Sequence, residues 1–88
     1  MIEHIYFTPR FKRFFSKLSK VEQEQAREKL ELFFENPRHP SLHSKKIKGT
    51  SGIWESRVND DIRFTWQYYE DGVLLRVIGH HDEALGKP

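Results

Sequence analysis

From Ile62 to Tyr69 the sequence alternates without a break: Ile62, Phe64, Trp66 and Tyr68 fall on one side of an extended chain, Arg63, Thr65, Gln67 and Tyr69 on the other. A period of two fits a half-buried β-strand and excludes an amphipathic helix. One side is aromatic and aliphatic and the other polar, so the strand belongs to a sheet with one face on a core. Both of its ends carry turn chemistry. Asn59-Asp60-Asp61 precedes it, and Glu70-Asp71-Gly72 follows with the Asp-Gly pair of a tight hairpin. Strands are therefore expected on either side, over 53–58 and 73–79.

The N-terminal half reads differently. Residues 2–7 are rich in β-formers and predict a first strand. Thr8-Pro9 is a helix start, with Thr8 as N-cap and Pro9 at the first helical position. Phe11, Phe14, Phe15 and Leu18 then recur at helical spacing. Ser19 to Glu22 matches a capping box and opens a second helix, whose apolar face is Ala26, Leu30, Phe33 and Phe34 and which Asn36-Pro37 ends. Residues 37–52 read as a loop with a short strand near Lys46-Ile47, and the tail from His80 to Pro88 as polar with one short helical turn. The order β-α-α-β-β-β predicts an α+β fold: a small antiparallel sheet with the αα-hairpin on one face and the other face open.

Composition narrows the function. The 88 residues suit a single domain, 1–88. Aromatic content of 14% supplies a core despite 32% charged residues. The chain has no cysteine, which excludes disulfides, thiolate metal sites and a cysteine nucleophile. No apolar run approaches the roughly 20 residues of a membrane span, and the opening residues Met1 to Ile5 do not resemble a secretion signal. A cytoplasmic protein is expected. Net charge is only +2, but acidic residues gather over 22–35 while Arg38, Lys45, Lys46, Lys48 and Arg57 form a basic stretch. A solvated charge run explains the lysines equally well.

Parity assembles a candidate surface. If Phe64 and Trp66 face the helices, Arg63, Thr65 and Gln67 face away. Glu55 and Arg57 share a side of the preceding strand. On the last strand Val73, Leu75 and Val77 share one side, with Arg76 and His80 on the other. One open polar face holding Glu55, Arg57, Arg63, Arg76 and the His80-His81 pair is expected.

The segment from Gly52 to Trp66, Gly-Ile-Trp-Glu-Ser-Arg-Val-Asn-Asp-Asp-Ile-Arg-Phe-Thr-Trp, resembles the G-x-W-x-x-R-(V/I)…(Y/H)-R-(L/F)-x-(Y/W) stretch of the RelE/ParE toxin superfamily, especially its YoeB and YafQ branches. Residues 75–82, Leu-Arg-Val-Ile-Gly-His-His-Asp, are similar to that family's final strand. The resemblance implies the toxin of a type II toxin–antitoxin system, a metal-independent endoribonuclease that cuts messenger RNA on the translating ribosome and needs no cofactor. It implies Arg63 against the scissile phosphate, Arg57 as a further basic residue, His81 as a catalytic histidine, and Lys45, Lys46 and Lys48 as RNA-holding residues. A cognate antitoxin, messenger RNA and the ribosome are the implied partners. Two departures stand out: Glu55 occupies a place where RelE carries a lysine, and no tyrosine follows His81, the corresponding place being near Leu85.

The chemistry is workable. The 2′-hydroxyl must attack the neighbouring phosphate, which needs a base, an acid for the leaving oxygen and cations for the developing charge. Histidine can serve as acid near neutral pH, arginine forks match phosphate oxygens, and Glu55 is the candidate base. Arg76 and His80 are further candidates for RNA contact. Each residue has a structural rival. Arg63 can pair with Asp60 or Asp61, Arg57 with Glu55, and His81 can be an ordinary surface residue, while Trp54 and Trp66 read as core. His39, His43, His80, His81 and Asp82 make a poor metal set, so no metal site is expected. A ParE-like inhibitor of DNA gyrase, a non-catalytic RNA- or protein-binding module and an inactive relic of a toxin are the competing functions.

Overall fold

A computed structural model describes residues 2–88. The elements run β1 (His4–Phe7), α1 (Pro9–Ser16), α2 (Lys20–Glu35), a short 3-10 turn (Pro40–Leu42), β2 (Lys45–Lys46), β3 (Trp54–Arg57), β4 (Ile62–Tyr69), β5 (Gly72–His80) and α3 (His81–Gly86). The α+β architecture expected from the patterning is present. Both helix starts are as the sequence predicts. Thr8 accepts from the Phe11 N–H, and Ser19 and Glu22 satisfy each other's backbone N–H groups in a complete capping box.

The sheet has five strands in the order β1-β5-β4-β3-β2. It is mixed. The hairpins make β2 to β5 antiparallel, whereas β1 pairs with β5 in parallel, Ile5 opposite Val73 and Phe7 opposite Leu75. Local patterning fixes hairpin partners only, and no turn joins β1 to β5. The β4–β5 turn also sits one residue earlier than its Asp-Gly pair suggests. Glu70, at φ 51°, and Asp71 make the turn, while Gly72 already pairs with Tyr69. Glycine is required at 72 for another reason: a Cβ there would lie 1.8 Å from the His4 carbonyl oxygen of β1.

The core lies between the helices and one face of the sheet. Phe11, Leu18, Ala26, Leu30 and Phe33 meet Trp54, Phe64, Trp66, Leu75 and Ile78. The Phe33 ring stands edge-on to Phe64 at 5.2 Å and to Trp66 at 4.9 Å, an arrangement aromatic quadrupoles favour. Trp66 Nε1 donates to Ser56 Oγ (2.9 Å), which shares a hydrogen with Ser44 Oγ (2.6 Å). The indole is thus buried without an orphaned donor.

A bulge alters the expected parity of β5. Thr65 is opposite Val77 and Trp66 is opposite Leu75, so Arg76 is an extra residue with no partner on β4. Residues after it change sides. Val77 joins Thr65 on the polar face, Ile78 turns into the core, and His80 falls opposite buried Ile62 on the helix side. There His80 Nε2 lies 3.4 Å from Glu22 Oε2 at the start of α2. The expectation that Val73, Leu75 and Val77 share a face, with His80 on the polar one, fails because alternation cannot register one inserted residue.

The second face is not fully open. α3 crosses β4 and β5, and Ala84 and Val77 are both fully buried yet lie outside the main core. Beyond α3, Thr65 Oγ1 and Arg76 Nε both donate to the backbone oxygen of Pro88, at 3.1 and 2.9 Å. No helix among the described residues is long and apolar enough to cross a membrane.

Candidate functional site

Cross-strand pairing orders the polar face into rows. Lys45, Glu55, Thr65 and Val77 form one, and Arg57, Arg63 and Gly79 form the next. Side chains directly opposite in such rows are neighbours, so Arg57 and Arg63 are a cross-strand pair of like charge. Like charges repel there unless an anion lies between them.

Arg63 is buried, with 7% of its surface exposed. Its Nη1 donates to the backbone carbonyls of Asn59 (2.7 Å) and Asp60 (2.9 Å), not to the Asp60 or Asp61 carboxylates. Its charge is thus met by backbone dipoles and by no carboxylate side chain. The adjoining residue of the same loop, Asp61, accepts from the backbone N–H of His81 at 2.8 Å. Arg63 and His81 are thereby brought to one loop, which Asn59 stiffens by accepting from the N–H groups of Asp61 and Ile62. The His81 imidazole is exposed, with Nδ1 3.3 Å from Asp82 Oδ1. A histidine at the rim of a sheet floored by arginines can give a proton to a departing oxygen while the arginines hold the phosphate.

Glu55 is nearly buried on this face and Arg57 half-buried, and they form no ion pair. Among the described residues the three close ion pairs all involve a histidine, and no Lys or Arg lies within 4.0 Å of an Asp or Glu carboxylate. Arg57, Arg63 and Arg76 thus have no Asp or Glu side chain within ion-pair distance, although two carboxylates share their face: Glu55, and Glu83, whose Oε1 would lie 3.8 Å from a Cβ at Gly79 in the Arg63 row.

The basic loop divides between faces. Lys45 lies in the Glu55 row of the polar face. Lys46, opposite Trp54, turns to the helix side, where its Nζ is 5.6 Å from the Trp54 ring centroid. Arg38, on the same indole at 4.6 Å, completes a cationic clasp. Lys48 is exposed in the turn before β3. His80, on the helix side, is removed from the Arg63 row.

Arg10 of α1 is a polar-face residue that the sequence does not single out. Its guanidinium donates to the Lys87 backbone oxygen. Only the path of the tail brings it there, and no spacing along the chain encodes that path.

No family model matches the sequence, and no curated protein matches it. Solved structures do match. The RelB–RelE antitoxin–toxin complex from Methanococcus jannaschii aligns at a TM-score of 0.74 and 16% identity, over 92% of this chain and 95% of that one. The E. coli DinJ–YafQ toxin–antitoxin complex aligns at 0.77 and 11%, over 94% and 97%. The fold is RelE-like. A YoeB/ParE toxin from Agrobacterium tumefaciens agrees, at 0.73 and 15% identity over 90% and 99%. The RelE-like architecture covers nearly the whole chain, from the αα-hairpin through the sheet to α3, in accord with the sequence resemblance.

Proposed function

We propose that this RelE-like chain is the toxin of a toxin–antitoxin pair and a metal-independent endoribonuclease that cuts messenger RNA on the ribosome. One observation carries the reading: Arg63 and His81 are fixed to the same loop beside Arg57, on a face whose arginines have no Asp or Glu partner within 4.0 Å. Arg57 and Arg63 hold the scissile phosphate, and His81 protonates the leaving 5′-oxygen. Glu55, in the adjoining row, takes the proton of the attacking 2′-hydroxyl. Positioning and charge stabilisation account for most of the rate in such a site. Lys45 and Lys48 extend the phosphate track. The partner is an antitoxin that covers or distorts this face, and the site of action is the cytoplasm, where translation takes place.

Induction in a bacterial host tests this. The wild type is expected to arrest growth and to leave new 5′ ends on a translated message but none on an untranslated transcript. Arrest with intact messages would transfer the reading to gyrase inhibition. A second reading, a non-catalytic RNA-binding module, is favoured by the occupation of Arg63 Nη1 by loop carbonyls. It predicts RNA retention without cuts.

A further inference from the structure

The tail beyond α3 is held by a peculiar set of donors. Arg76 Nε (2.9 Å) and Thr65 Oγ1 (3.1 Å) converge on the Pro88 backbone oxygen, and Arg10 donates to the Lys87 oxygen beside it. They come from three elements, β5, β4 and α1. The bulge makes the convergence possible. As the unpaired extra residue of β5, Arg76 has its carbonyl taken by Thr8 Oγ1, the N-cap of α1, which brings Arg10 within reach of the same place. The other Arg76 contact is Gln67 Oε1.

We infer that Arg76, Thr65 and Arg10 form a binding site for a phosphate group, and that residues 87 and 88 occupy it as an internal stand-in. Two guanidinium groups and a hydroxyl aimed at adjacent oxygens are the donor set phosphate takes. Neither arginine has an Asp or Glu side chain within 4.0 Å. The stand-in is lightly held. Ala84 is the last fully buried residue, and Gly86 and Lys87 are exposed. The tail can therefore leave while α3 stays packed. The site lies on the face that carries Glu55, Arg57 and Arg63, which makes it a subsite for a phosphate flanking the cleaved one. That assignment to RNA rests on the proposed function; the phosphate site itself does not.

Because the tail and a phosphate exclude each other, the apparent affinity of the full chain is reduced by the fraction of molecules with the tail displaced. The full chain and a variant ending at Gly86 are titrated with inorganic pyrophosphate, and in a second arm with a short single-stranded RNA. The Arg76 Nε–H and Thr65 amide signals are followed by NMR. The shortened chain should bind pyrophosphate at these two residues on the order of ten-fold more tightly than the full chain. Arg76→Met and the near-isosteric Thr65→Val, each in the shortened chain, should remove the gain, and amide dispersion in the same spectra verifies folding. Removing Lys87 takes away a positive charge, so an unspecific electrostatic effect would have the opposite sign. Equal binding by both chains, or a gain that survives Arg76→Met, would overturn the inference. Pyrophosphate binding as expected from a chain that cuts no message would instead sink the ribonuclease reading and leave the phosphate site standing.

Discussion

Arg63 and His81 are tied to consecutive residues of one loop: the Arg63 guanidinium to the carbonyl of Asp60, the His81 backbone N–H to the carbonyl of Asp61. The loop thus couples the floor of the polar face to its rim. Arg63 then carries a structural burden as well as a chemical one, and the two can be separated. Arg63→Ala strips the half-buried loop carbonyls of Asn59 and Asp60 of their donor and should cost about 1–2 kcal/mol in urea unfolding. Message cutting should vanish even at temperatures where the variant remains folded. Full cutting by a folded Arg63→Ala would remove this residue from the site.

His81 offers the opposite case. Its side chain is exposed and holds no other element in place, so His81→Ala should change stability by no more than about 0.5 kcal/mol. Loss of a general acid should nevertheless lower the cutting rate by about 10²–10⁴-fold. A variant that cuts at the wild-type rate would make His81 a surface residue.

The Trp66–Ser56–Ser44 chain makes a graded prediction. Ser56→Ala strips the buried indole N–H of its acceptor and should cost about 1–3 kcal/mol, whereas Ser44→Ala leaves Trp66 its partner and should cost less. Paired denaturation midpoints check the order. Equal losses would mean that the serine pair acts as a unit.

Glu22 links acid stability to the start of α2. The backbone N–H of Ser19 holds its carboxyl below the ordinary value of 4.5, and the Ser19 hydroxyl and His80 add to the effect. With the folded pKa depressed, the contribution is complete above the unfolded value and is lost as pH falls through the folded one. Glu22→Gln should therefore lower stability at neutral pH and flatten its decline below about pH 4.5. Parallel wild-type and variant curves down to the acid limb would contradict this.

What could be read before the structure was what is local. The alternation of Ile62 to Tyr69 marks β4 to the residue, and Ser19 to Glu22 marks the start of α2, because strand period and capping chemistry act over a few residues. The juxtaposition of Arg57 with Arg63 follows from the same short range, through one tight turn. Legibility ends at Arg76. A single extra residue sends His80 to the helix side, and no periodicity marks it in advance. The parallel pairing of β1 and the return of residues 87 and 88 to Thr65 and Arg76 depend on packing between distant segments, which is why Arg10 was invisible as a polar-face residue.

The most direct test uses purified protein and one defined message in a reconstituted translation system, with 5′ ends mapped by primer extension. A ribosome-dependent ribonuclease leaves discrete new ends when ribosomes translate the message, none on the same RNA without ribosomes, and none with His81→Ala. A message that stays intact while translated, in the presence of folded wild-type protein, would contradict the proposed activity outright.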